Sequence, residues 1–128
     1  MWDQMLLGIQ TAFTLQNMLF AGLGCFIGTI IGMLPGLGPL SVVASMIPVS
    51  IQIGDPSTTL ILWAGVYYGA IFGGSTSSIL INAPGEAAVV ATSFDGYPMA
   101  RKGQAGKALT IAAISSFSGG TIGAIFLM

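Results

Sequence analysis

A hydroxyl-rich stretch, Ser75 to Ser78, lies inside an otherwise apolar segment and is followed by Asn82 and a Pro84-Gly85 pair. Hydroxyl and amide groups donate hydrogen bonds to a carboxylate, and their oxygens, like backbone carbonyls, coordinate Na⁺. In hydrocarbon, such groups and an irregular backbone are tolerated only where they are buried in protein or line a wet cavity. The stretch therefore indicates a transport pathway rather than a simple membrane anchor.

The candidate site combines side chains with backbone groups that helix breaks leave free to bind a ligand. Two alternatives stay open beside it. Ser77 and Ser78 can equally donate to their own helix, and Glu86 is read first as a charge at a helix N-terminus and second as a coupling carboxylate. The predicted substrate- or ion-binding residues, of which Ser75, Thr76 and Asn82 also suit Na⁺, are Gly36, Gly38, Gly74, Ser75, Thr76, Asn82 and Gly85.

The composition predicts an integral membrane protein. Hydrophobic residues make up 54% of the 128 residues and charged residues 5%, the mean hydropathy is +0.90, and no charge lies between Gly8 and Gly54. Typical soluble domains carry about 25% charged residues.

The composition also argues against several functions. Three basic residues make nucleic acid an implausible partner. The absence of histidine and the single Cys25 leave no transition-metal ligand set, and no acid pairs with a nucleophile as in an enzyme.

The apolar segments fall at about 18–34, 40–53, 58–82 and 107–128, with a more polar loop at about 86–106. This pattern predicts an all-α polytopic bundle with broken or re-entrant helices. Pro35 to Pro39 holds two prolines and two glycines and cannot continue a helix. The two short segments on either side of it are read as a re-entrant hairpin, with two kinked full spans as the alternative.

Local signals predict the ends of the later helices. Asp55 is placed to cap a helix whose first turn contains Pro56. That helix is expected to run to about Phe72 and into the hydroxyl patch. A short helix is expected over 86–94, followed by a turn at 95–98, where the sequence reads Asp-Gly-Tyr-Pro.

Small residues recur every four positions in three helical segments. This spacing places them on one face of each helix, where backbones can approach closely in lipid. Three such faces favour a compact bundle over a single anchor helix. The sets are Gly24, Gly28, Gly32 and Gly36; Gly65, Gly69, Gly73 and Ser77; and Ser115, Gly119 and Gly123.

The positions of the charges predict how the chain is oriented in the membrane, and its last segment indicates that it is part of a longer protein. All basic residues lie between Arg101 and Lys107, which places that loop in the cytoplasm. The N-terminus lacks the basic region of a secretory signal, so the first apolar segment is expected to stay in the membrane. The last apolar segment has no flanking anchor, and the chain is interpreted as the N-terminal part of one transmembrane domain in a longer protein.

Two long motifs resemble the large membrane subunit of tripartite tricarboxylate transporters, the TctA family. They are 28–39 (GTIIGMLPGLGP) and 67–86 (YYGAIFGGSTSSILINAPGE), and 94–103 (FDGYPMARKG) followed by Ala108-Leu109 also fits. The resemblance covers the chain from about Leu15 onward. Family members are much longer, so the chain corresponds to their N-terminal part.

The resemblance implies secondary uptake of an organic acid, a tricarboxylate or a related carboxylate, through a multi-pass protein of the bacterial inner membrane. It implies Na⁺ or H⁺ as coupling ion and no other cofactor. The implied partners are a small membrane subunit and a periplasmic solute-binding protein, besides the lipid bilayer. A channel or pore component, and a glycine-packed scaffold that transports nothing, remain the alternative functions.

Overall fold

The computed structural model describes residues 1–128, and it is built of helices without any β-strand. The all-α prediction is therefore confirmed. A 3-10 turn at Ala87–Val89 precedes the sixth helix. The seven α-helices are α1 (Trp2–Ala12), α2 (Leu15–Gly32), α3 (Pro39–Ser45), α4 (Ile47–Ile53), α5 (Pro56–Ile81), α6 (Val90–Arg101) and α7 (Ala105–Leu127).

Helices α2 and α5 form the centre of the molecule, and α2 approaches α5 through its glycine face. A methyl group added at Gly28 would collide with the backbone of Val66, and one added at Gly32 would collide with the backbone of Ala70. Because only hydrogen occupies these positions, the two backbones come into direct contact. Val66 and Ala70 are buried in this contact.

The glycine face of α5 is used in the same way. Added methyl groups at Gly69 and Gly73 would collide with the carbonyl groups of Cys25 and Thr29 on α2. The predicted close packing is confirmed for these two faces. Gly119 and Gly123 on α7 have open space around them, so the third face makes no such contact within this chain.

The first predicted break is confirmed. Helix α2 ends at Gly32, and α3 begins at Pro39, which occupies the first turn of the new helix, where its missing N–H costs nothing. Gly36 adopts a φ of 90°, which favours glycine. Two short helices, α3 and α4, follow this break and lead to Gly54 in the left-handed conformation.

Helix α5 begins as predicted but ends later. The Asp55 carboxylate accepts a hydrogen bond of 2.8 Å from the Thr58 N–H, and Pro56 is the first helical residue. The helix then continues past Phe72, through the hydroxyl patch, to Ile81. The expected end near Phe72 is wrong, because the patch hydroxyls satisfy carbonyls of the same helix and leave it unbroken. The break comes at Asn82, with a left-handed φ of 56°.

The turn expected at 95–98 is wrong, and the short helix expected over 86–94 extends further than expected. Helix α6 runs through both Asp95 and Pro98. Gly96 is buried, and a methyl group there would lie 2.6 Å from the Ile79 side chain, so tertiary packing on α5 stabilises a helix that local sequence disfavours. Gly103, with a φ of 78°, then turns the chain into α7.

Two helices, α2 and α7, are long and apolar enough to cross a membrane by length and composition. Helix α5 is longer, at 26 residues, but its hydroxyl, glycine and tyrosine residues lower its hydropathy. Ala108 is the only buried residue of α7. The outer surfaces of these helices therefore present apolar side chains over most of their length.

Candidate functional site

The two helix breaks, 33–38 and 82–86, lie against each other beside the α2/α5 contact. A Cβ placed on Gly85 would be 3.5 Å from the Gly32 carbonyl oxygen, 3.7 Å from the Gly74 Cα and 3.8 Å from the Leu37 carbonyl oxygen. Backbone atoms thus surround the Gly85 position, while the Val89 side chain lies 3.5 Å from a Cβ placed on Gly74. We call this region, bounded by Gly32, Leu37, Gly74 and Gly85, the break junction.

Several backbone groups at the break junction have no hydrogen-bond partner within the chain. The N–H groups of Gly38, Gly85 and Glu86 donate to no acceptor, and the carbonyl oxygens of Gly32 and Leu37 accept from no donor. Such groups bind ligands or water when they are not paired in secondary structure. The junction therefore offers donors to an anion and acceptors to a cation.

Glu86 brings a carboxylate to the edge of the junction. One of its oxygens, Oε2, lies 3.9 Å from the position of a Cβ on Gly38. The residue precedes the 3-10 turn at Ala87–Val89, and its side chain makes no capping hydrogen bond there. Glu86 thus stands at a helix N-terminus, as the first interpretation expected, while its carboxylate remains unpaired and close to the first break.

Ser77 ties the second break to the end of α5. Its hydroxyl lies 2.9 Å from the carbonyl oxygens of both Gly74 and Ala83, and the Ala83 N–H donates to the Ser77 carbonyl. Ser78 donates only to Gly74, at 2.7 Å. Ser77 is therefore a positioning residue. The sequence prediction missed this role because nothing in the residue order shows that the chain folds back toward Ser77.

The hydroxyl of Thr76 is also committed to its own helix. It donates to the Phe72 carbonyl at 3.0 Å, and the residue is buried. Asn82 lies at the helix end with an exposed side chain, and Gly36 is exposed with no heavy atom within 4 Å of an added Cβ. These three predicted site residues do not line the junction.

Ser75 points to a different place. It lines a cleft of about 430 Å³ between α5, α6 and α7. The polar residues there also include Thr92, Asp95, Ser115 and Ser116. The structure therefore divides the predicted set: Gly74 and Gly85 meet at the junction, Gly38 lies at its edge against the Glu86 side chain, and Ser75 belongs to the cleft. No group of three or more His, Cys, Asp or Glu side chains comes together to hold a metal ion.

An apolar helical chain whose interrupted helices meet around unpaired backbone groups has the construction of a membrane transport protein. Residues 18–128 match the family described as the tripartite tricarboxylate transporter TctA family, and the chain belongs to that family. The predicted family is thereby confirmed.

A similar protein occurs in Agrobacterium vitis and is described as "Uncharacterized 52.8 kDa protein in TAR-I ttuC' 3'region". It is 46% identical over 121 residues, which cover 94% of this chain and 24% of the relative. The chain thus spans about a quarter of the length of that relative. No solved structure matches the chain.

Proposed function

We propose that this chain is the N-terminal part of the large membrane subunit of a carboxylate transporter driven by an ion gradient. The break junction carries this proposal. Unpaired backbone N–H groups of Gly38, Gly85 and Glu86 gather where two helices are interrupted. In secondary transporters, broken helices of this kind hold anionic substrates at their N-terminal ends.

The chemistry suits a carboxylate substrate. Backbone N–H groups bind an anion without the cost of keeping an unpaired cationic side chain in the membrane. The glycines at Gly74 and Gly85 let the two breaks come close together, so the unpaired groups of both breaks lie in one region. A tricarboxylate or a related organic acid is the substrate class that the family description supports. The chain acts by binding and moving this substrate, without enzymatic chemistry.

The proposed topology is multi-pass, in the bacterial inner membrane. Helices α2, α5 and α7 cross the bilayer, since the 26 residues of α5 rise about 39 Å. Helices α2 and α5 run parallel, because Asn17 and Thr58 at their starts are hydrogen-bonded and Gly32 meets Ala70 further along, so α3 and α4 return the chain across the bilayer between them. The end of α6 and the turn at Lys102–Gln104, where the basic residues cluster, face the cytoplasm.

The proposed partners are a small membrane subunit and a periplasmic solute-binding protein that delivers the carboxylate. The family belongs to a tripartite transport system, which supports an assembly of this kind. Na⁺ or H⁺ serves as the coupling ion. The chain itself supplies one part of the pathway, and the rest of the full-length subunit completes it.

The test uses the full-length subunit with its two partners in proteoliposomes. Citrate and a panel of dicarboxylates and aromatic acids are measured for counterflow, in which internal unlabelled substrate drives uptake of labelled substrate. A carrier gives counterflow, whereas a channel or a scaffold gives none. Absence of counterflow with every acid, in a well-folded complex, would contradict the proposal.

Gly85→Ala probes the junction within the same experiment. The added methyl stays at least 3.5 Å from its neighbours, so the fold is kept, but it fills space beside the free N–H groups. Substrate affinity should fall about tenfold, as expected when one hydrogen bond to a charged ligand is lost. Gly106→Ala is the matched control, because Gly106 lies in open space on α7. Equal affinities in the two variants would exclude the junction as the substrate site.

A further inference from the structure

We infer that the cleft between α5, α6 and α7 is a binding site for a monovalent cation of the size of Na⁺, separate from the break junction. The inference rests in part on the proposed function, in which it assigns the position of the coupling ion. It depends on the charge of the cleft, on the state of its hydroxyl groups, and on its position relative to the junction.

The charge of the cleft favours a cation. Asp95 is the only charged residue among the twelve that line it, and no lysine or arginine is present. The Asp95 carboxylate makes no ion pair or hydrogen bond within the chain. An organic acid would be repelled there, whereas a cation would gain a full negative charge as partner. Asp95 is exposed, so a cation reaches its carboxylate from outside the cleft.

The hydroxyl groups of the cleft are free. Ser75 and Thr92, which are half-buried, and Ser115 and Ser116, which are exposed, line the cleft and donate to no carbonyl of the chain. Their neighbours on the same helices behave differently: Thr76, Ser77 and Ser78 on α5 and Ser93 on α6 all donate to nearby carbonyls. Helical Ser and Thr commonly make such local bonds. Four unpaired hydroxyl oxygens and one carboxylate are the kind of oxygen ligands that Na⁺ takes. A proton would need only the carboxylate, so the additional oxygens favour Na⁺ as the ligand.

The cleft and the break junction are next to each other on α5. A Cβ placed on Gly74 would lie 3.9 Å from the backbone nitrogen of Gly85, so Gly74 faces the junction. The next residue, Ser75, faces the cleft. Two consecutive residues of one helix thus border an anion-binding region and a cation-binding region. An ion held at Ser75 acts on the helix segment that forms one wall of the junction. This adjacency provides a direct structural link between ion binding and substrate binding.

The experiment measures ²²Na⁺ binding to the purified full-length protein, without substrate, at constant ionic strength kept with choline. Wild type should bind Na⁺ saturably. Asp95→Asn should weaken this binding at least tenfold, and Ser75→Ala about fivefold, as expected for a charged and a neutral ligand. The controls are Asp3→Asn and Ser118→Ala, which remove an acid on α1 and a hydroxyl on α7 that do not line the cleft.

The outcomes separate the two proposals. Saturable Na⁺ binding that Asp95→Asn and Ser75→Ala weaken supports the cation site, even if counterflow is absent and the proposed transport function fails. If wild type shows no saturable Na⁺ binding, or if both cleft variants bind Na⁺ like wild type, the cation site is excluded whatever the transport result. Should Asp95→Asn misfold, Ser75→Ala and Ser116→Ala decide the question alone.

Discussion

The Thr58 hydroxyl donates a hydrogen bond of 2.8 Å to the side-chain oxygen of Asn17, and both residues are buried. This is the only hydrogen bond between two side chains in the chain, and it joins α5 to α2. Asn17 in turn donates to the Thr11 carbonyl at 2.7 Å, near the end of α1. The helix pair is therefore held by a polar bond at the start of each helix and by glycine contacts along its length.

Thr58→Val should destabilise the folded protein, since it keeps the shape of the side chain but leaves the Asn17 oxygen buried without a donor. The expected loss is about 1–2 kcal/mol, given the modest strength of such bonds between membrane helices. Thermal unfolding of the full-length protein in detergent would measure it. Thr59→Val is the control, because the Thr59 hydroxyl makes no hydrogen bond within the chain. Equal midpoints for both variants would show that the bond contributes nothing.

Gly28→Ala should disrupt the α2/α5 contact. The new methyl would collide with the Val66 backbone, which cannot rotate away as a side chain can, and overpacking of this kind costs roughly 1–3 kcal/mol or more. Gly22→Ala is the matched change on the same helix, where the methyl has open space. It should be neutral or stabilising, because alanine favours helix over glycine. The two variants should thus shift the unfolding midpoint in opposite directions, and a shared direction would contradict the packing argument.

The features that the sequence predicted are those that depend on short-range chemistry. The Asp55-Pro56 helix start, the break before Pro39 and the two glycine faces each follow from a few adjacent or regularly spaced residues. The end of α5 and the path of α6 depend on contacts made in the fold. Ser77 reaches back to Ala83, and Gly96 packs on Ile79, and neither contact is visible in the residue order.

The candidate site was predicted in part for the same reason. Gly74 and Gly85 were identified through their motif, and they do meet. Whether Ser75 or Gly74 faces the junction depends on the rotation of α5, which its glycine face fixes against α2. The cleft needs three helices to form, and Asp95 enters it only because α6 continues through the expected turn.

The helix start at Asp55 predicts a pH dependence. The Thr58 hydroxyl and backbone N–H lie beside the carboxylate and hold the pKa of Asp55 below its usual value of 3.8. Since the hydroxyl donates its single proton to Asn17, the N–H at 2.8 Å is the persistent donor. A lowered pKa means that the charged form stabilises the fold. This contribution is present above pH 3.8 and is lost as the pH falls through the folded-state pKa.

Asp55→Asn tests this dependence, because asparagine also caps a helix but carries no charge. The unfolding midpoints of wild type and variant should differ at pH 6 and converge as the pH falls below about 4. Asp3→Asn serves as the control, because Asp3 lies in the first turn of α1 but makes no capping hydrogen bond there. A difference between wild type and Asp55→Asn that stays constant down to pH 3 would show that the charge of Asp55 plays no part.

Ser77→Ala should loosen the second break without unfolding α5. The Ser77 hydroxyl lies 2.9 Å from the Ala83 carbonyl, whereas Ser78, its neighbour, donates only to Gly74. Loss of one such bond is worth about 1 kcal/mol, so exchange of the Ala83 amide, the one N–H in 83–86 that donates a hydrogen bond, should accelerate about fivefold. Ser78→Ala removes an equally buried hydroxyl and should leave exchange in this segment unchanged.

Transport gives the second measurement for Ser77. Gly85 stands directly after the segment that Ser77 holds, so a looser break displaces the N–H groups of Gly85 and Glu86 from the junction. The half-saturating carboxylate concentration should therefore rise in Ser77→Ala while Ser78→Ala transports like wild type. If the two variants show the same exchange and the same kinetics, the bond to Ala83 does not position the break, and the junction is held by the glycine contacts alone.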